Sequence, residues 1–120
     1  MVGIIITGGA AVAAALKSKD LSIKLLLPGA IKEAAFFIEG EVKQSIAGHR
    51  AETRSVDTGR FLSSVRANIK SAYEAEVLTE VEYAKYLEYG TSKVLPRPHF
   101  RNTAARNEKK VQGFIEAAVK

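Results

Sequence analysis

The residues with the means to do chemistry in this chain are two histidines, a scatter of serines, the glutamates and a diglycine turn. His49 lies in a polar stretch and His99 beside Pro98, and neither has another histidine or a cysteine at metal-ligand spacing. Both are expected to be solvated or capping residues. Gly8-Gly9 follows an apolar run as a phosphate-binding turn would, yet neither the Gly-x-Gly-x-x-Gly nor the Gly-x-x-x-x-Gly-Lys-Ser/Thr spacing is present. Ser45, Ser55, Ser63, Ser64 and Ser71 lack the nucleophile-elbow context, and two histidines leave a serine triad little to draw on. Glu74, Glu76 and Glu80 alternate as strand residues do. The reading is therefore non-enzymatic, with no catalytic residue, no cofactor and no metal.

Composition sets the frame for the positioning elements. With 120 residues, 47% of them hydrophobic, the chain reads as one domain over 1–120 with a modest core. It contains no cysteine, so packing or association must stabilise it. The formal charge of +5 suits a polyanion such as DNA. The basic residues are scattered, however, and no zinc finger, basic zipper or aromatic RNA-binding strand is present. Val2 to Leu16 is almost wholly apolar but shorter than the roughly 20 residues that span a bilayer. No Lys or Arg precedes it as a signal peptide requires, although Ala11 to Ala13 offers an Ala-x-Ala pattern. No membrane association is expected.

The β-branched run Ile4-Ile5-Ile6 predicts a short buried strand over Val2 to Thr7, followed after Gly8-Gly9 by a short alanine-rich helix. Asp20 or Ser22 can cap the next segment, where Pro28-Gly29 either kinks a helix or marks its first turn. From Ala30 to Ile46 the residues Ile31, Ala34, Ala35, Ile38, Val42 and Ile46 recur at helical spacing. Gly48 to Val56 has charges and no apolar periodicity, which predicts a mobile loop. Asp57 or Thr58 then caps a short turn through Phe61 and Leu62.

From Val65 the period becomes two. Val65, Ala67 and Ile69 face one way and Arg66, Asn68 and Lys70 the other. Ala75, Val77, Thr79 and Val81 alternate with Glu74, Glu76, Leu78 and Glu80. Joined at Ser71-Ala72-Tyr73, the two runs make an antiparallel hairpin with a basic face opposite an acidic one, and Val65, Ile69, Val77 and Val81 inward. Tyr83, Leu87 and Gly90 mark a short helix closed by glycine, and Thr91 to Leu95 a loop. Pro96-Arg97-Pro98 is stiff and extended. Beyond it, Phe100, Ala104, Val111, Ile115 and Ala118 form one face of a C-terminal helix. The fold class is α+β: a small antiparallel sheet with a β-hairpin, packed against a long helix and a C-terminal helix.

Three elements occur in order: Val56-Asp57-Thr58-Gly59-Arg60-Phe61-Leu62-Ser63-Ser64, then Tyr83-Ala84-Lys85-Tyr86-Leu87-Glu88-Tyr89-Gly90-Thr91, then Pro98-His99-Phe100-Arg101. This order resembles a family of tailed-phage morphogenesis proteins, described variously as minor tail, neck, head-to-tail joining or tail-completion proteins. Phe61 stands where that family usually has leucine, and Thr103 where it has proline. The resemblance implies a structural virion protein of a tailed virus or provirus, assembled in the host cytoplasm. It implies a homo-oligomeric ring, a hexamer or dodecamer, at the head-to-tail junction, touching head-connector or tail proteins, with DNA passing through unread. The implied interface motif is Asp57, Thr58, Gly59, Tyr83, Ala84, Tyr86, Glu88, Tyr89, Gly90, Thr91, Pro98 and Phe100. The alternative is a small basic DNA-binding or DNA-packaging accessory protein.

Overall fold

The computed structural model describes residues 2–7, 21–52, 54–55 and 59–119. Gly8-Gly9, the alanine-rich segment and the capping residues Asp57 and Thr58 lie outside these. The described elements are β1 (Val2–Thr7), α1 (Leu21–Ile46), α2 (Arg60–Ser64), β2 (Arg66–Ser71), β3 (Glu74–Thr79), α3 (Ala84–Tyr89), α4 (His99–Arg106) and α5 (Glu108–Val119). The fold class is α+β.

The strands form one antiparallel sheet in the order β1-β3-β2. β3 takes the centre, which is why Ala75 and Val77 on its inner face are wholly buried. The other face of β3 is covered too, with Leu78 only 2% exposed. β1, at the edge, is half-buried rather than buried: Ile6 faces the core while Ile5 is 59% exposed. The reason is pleat alternation, which turns consecutive isoleucines to opposite faces.

The hairpin pairs Arg66 with Leu78, Ala67 with Val77 and Ile69 with Ala75, the alternation expected. Lys70 is then an extra residue, because the next pair is Ser71 with Glu74. Such a bulge bends the strand end away from the sheet. Ile69, just before it, is consequently 42% exposed rather than inward, whereas Val65, Val77 and Val81 are buried. The opposed charges do meet: Arg66 lies 3.5 Å from Glu80 and Lys70 3.9 Å from Glu76.

α1 runs unbroken past Pro28, so the proline neither starts nor ends it. At about 1.5 Å per residue the helix is roughly 39 Å long. In a body of 54 × 22 × 22 Å it must lie along the long axis. Ile31, Ala34, Ala35, Ile38, Val42 and Ile46 are all buried, together with Leu27 and Ala30. Full burial of each large aliphatic side chain contributes about 1.5–3 kcal/mol, so this stripe is the spine of the core.

The expected C-terminal helix is two helices. Asn107 has φ −112 and ψ 10, outside the helical well. Its backbone and side-chain N–H groups both donate to the Thr103 carbonyl, while its own carbonyl accepts from Val111 N–H at 3.0 Å. One asparagine thus closes α4 and opens α5. Beyond it α5 packs on α1, with Phe37 and Phe114 5.7 Å apart between ring centroids.

A candidate assembly surface at the α3–α4 junction

α3 begins at Tyr83 and stops at Gly90, whose φ of 77 and ψ of 176 only glycine adopts readily. A Cβ there would stand 2.8 Å from the Val94 carbonyl oxygen and 2.9 Å from Pro96 Cδ. Gly90 therefore ends the helix and lets the next loop fold back against it. Thr91 N–H donates to the Val94 carbonyl, and its hydroxyl accepts from the N–H groups of Lys93 and Val94. Arg97 N–H donates to the Leu87 carbonyl. The loop is held at both ends.

Glu88, two residues before the glycine, is 2% exposed, and its two oxygens accept the N–H groups of Phe100 and Arg101, each at 2.9 Å. These amides belong to the first turn of α4, which carries no side-chain cap of its own at Pro98. The carboxylate supplies that cap from another element, where the helix dipole also favours negative charge. Arg101 completes the pair at 3.1 Å and donates to the Glu88 carbonyl as well. Ala84 and Phe100 are buried beneath the junction.

Two of the tyrosines are left outside. Tyr86 is 51% and Tyr89 61% exposed, with Lys85 Nζ 5.2 Å from the first ring and the Arg101 guanidinium 4.7 Å from the second. Tyr83 instead packs edge-on against Phe61 at 6.0 Å. Gly59 joins α2 with φ 82, and no side chain caps that helix from the Gly59 position. The structure thus unites Tyr83 through Phe100, while Gly59 is linked to the group through its neighbours Arg60 and Phe61, both of which contact the Tyr83 ring.

A second polar cluster lies on the other side of α4. Glu52 is buried and takes hydrogen bonds from Ser45 Oγ, Asn102 Nδ2 and both terminal nitrogens of Arg106. Burial pushes its carboxyl up, but the bonds from Arg106, Ser45 and Asn102 outweigh that and hold its pKa at about 2. His99 is fully buried, with Nδ1 2.8 Å from Ser45 Oγ and Nε2 2.8 Å from Ser55 Oγ. Since the one Ser45 proton goes to Glu52, the neutral ring carries its hydrogen on Nδ1 and accepts from Ser55. Burial lowers the His99 pKa.

This corrects one expectation: His99 is no solvated residue. Within the stretch expected to be a mobile loop, Glu52 and Ser55 make polar bonds to side chains of α1 and α4. His49 is exposed, beside Gln44. One sign of the cluster was available: Ser45 falls on the buried stripe of α1, three residues after Val42 and seven after Ile38. A polar residue on an apolar face needs a buried partner. Although the order Ser55–His99–Ser45–Glu52 has the groups of a proton relay, a catalytic base must reach a substrate, and this imidazole has no exposed surface. It works as a clamp.

Among the described residues no group of His, Asp and Glu is placed to hold a metal ion, and no helix is long and apolar enough to cross a membrane. Neither curated proteins nor solved structures contain a match to the chain. A protein-family match does exist, over residues 9–90, to the family described as "Bacteriophage HK97-gp10, putative tail-component". It takes in the first sequence element and all of the second but Thr91, and ends before the third. With well over half of its length matched, the chain belongs to the HK97-gp10-like family of phage tail components.

Proposed function

We propose that this tail component is a non-enzymatic subunit of a homo-oligomeric ring at the head-to-tail junction, as a neck, tail-completion or tail-terminator layer. It would sit against head-connector or tail proteins, with DNA passing through its opening. The observation that carries the reading is the exposure of Tyr86 and Tyr89 on a helix locked by Glu88. Aromatic rings on a rigid frame lose little freedom when a neighbour covers them, and a central tyrosine in an interface is worth about 2 kcal/mol or more. Rings that filled the subunit's own core would be buried, and these are not.

Tyr86→Ala and Tyr89→Ala should therefore abolish large species in sedimentation while shifting monomer stability by less than about 1 kcal/mol. If both variants keep the large species and still join heads to tails, this surface is not the ring contact. The DNA-binding alternative has less behind it, because Arg50, Arg60, Arg66, Arg101 and Arg106 are each held against a carboxylate of the same chain. A DNA affinity that falls steeply with salt would revive it.

A further inference from the structure

The loop after Gly90 carries an exposed apolar tip: Leu95 is 85% and Val94 41% exposed. Their position is nonetheless fixed, through the Thr91–Val94 turn on one side and the Arg97–Leu87 bond on the other. Elsewhere on the chain lies an open groove of about 420 Å³ between β1, an edge strand among the described residues, and the helices α4 and α5. Four consecutive residues of β1, Ile4 to Thr7, line it together with Ala105, Val111 and Ile115. Consecutive strand residues point to opposite faces, so a groove lined by all four must follow the strand's outer edge. Its lining is mostly apolar, with Glu108 and Gln112 among the residues that border it.

We propose that the Val94-Leu95 tip of one subunit inserts into the β1–α4–α5 groove of the next copy of this chain. The proposal rests on the ring reading and deepens it by naming the two halves of the contact. Cyclic assembly needs two different patches on each subunit, one meeting the other of its neighbour, and a fixed apolar tip with an apolar groove is such a pair. Charge agrees with this choice of occupant. Lys93 flanks the tip and Glu108 the groove, and neither has an ion pair among the described residues. Pro96 and Pro98 leave the segment few free N–H groups, so side-chain insertion rather than strand addition holds the contact. A tip of two residues covers far less than the roughly 1,200–2,000 Å² of a stable interface. In this proposal Tyr86 and Tyr89, exposed on the helix that precedes the loop, extend it.

The chain contains no cysteine, so single cysteines can be placed cleanly in the full-length protein. Leu95→Cys and Ala105→Cys both change exposed side chains. A short bismaleimide added to an equal mixture of the two variants should give a covalent pair of two chains, and the double variant a ladder ending at the ring. Lys93→Glu and Glu108→Lys should each weaken association a few-fold, and the two variants mixed with each other's partner charge should recover it. Large species that form with no 95–105 cross-link, or that persist in Leu95→Asp, overturn the tip-and-groove contact and leave the ring reading standing. A Leu95–Leu95 cross-link in place of the mixed one also overturns it, by making the contact two-fold. Wild-type protein that sediments only as a monomer, with no cross-link, overturns both.

Discussion

Two buried glutamates fasten other segments to α4, Glu88 from helix α3 and Glu52 from the stretch after α1, and they do so by different means. Glu88 caps the first turn of α4 with its carboxylate, accepting two backbone N–H groups and taking Arg101 as partner. Among the described residues the Glu52 carboxylate accepts from side chains alone, those of Ser45, Asn102 and Arg106. The first junction leaves tyrosines and a leucine in solvent, and the second encloses a histidine. Backbone amides are present whatever the residue types, so a carboxylate cap survives changes around it. A side-chain cluster fails when one member is lost. Positions displaying a surface are thus set by the sturdier device.

The most severe test of that contrast is Glu88→Ala. It strips a buried cap from two amides and an arginine, and thermal unfolding should show a loss of about 3–4 kcal/mol. Arg101→Ala, which leaves both amide bonds in place, should cost about half as much or less. Equal losses in the two variants would mean that the ion pair, not the cap, holds the junction.

Glu52→Gln follows, at about 2–3 kcal/mol near neutral pH. The Glu52 carboxyl is held at about 2, below its ordinary 4.5, so the folded state binds protons less readily than the unfolded one. Its contribution is present above the ordinary value and lost as pH falls from about 5 to about 2, amounting to about 3 kcal/mol. Denaturant melts across this range should fall steeply in the wild type and less so in Glu52→Gln. Burial of His99 below its ordinary 6.5 acts in the same direction, since the unfolded ring gains its proton first as pH drops.

Two glycines sharpen the picture of the Glu88 side. Gly90→Ala meets a positive φ and neighbours inside 3 Å, and should cost about 2–3 kcal/mol. Gly59→Ala meets a positive φ alone, with open space around it, and should cost about 1 kcal/mol. Comparable values would show that the loop after Gly90 yields, which the tip-and-groove contact does not allow. An effect as small and of opposite sign is expected at Thr103, in the middle of α4. Its hydroxyl is buried with no hydrogen-bond partner among the described residues, and Thr103→Val should stabilise by about 1 kcal/mol. A loss instead would reveal a partner for that hydroxyl.

Much of this was legible in the residues. Local periodicity is a property of the chain itself: the stripe from Ile31 to Ile46 and the alternation around Ser71 place the long helix and the hairpin, because a helix or strand with one apolar face has one way to bury it. Gly90 was legible for the same reason, since a glycine after a helical repeat signals a backbone turn. The ordered elements around Asp57, Tyr83 and Pro98 likewise pointed to the tail-component family. Tertiary structure decided what distant residues do to one another. It placed β3 at the centre of the sheet, bulged Lys70 and so exposed Ile69, split the last helix at Asn107, and carried Glu52 and His99 inward from two separate stretches that looked solvated. It also sorted the tyrosines, Tyr83 inside and Tyr86 and Tyr89 outside. Each depends on which groups come within hydrogen-bond or van der Waals reach after folding, separations of dozens of residues along the chain that no local pattern encodes.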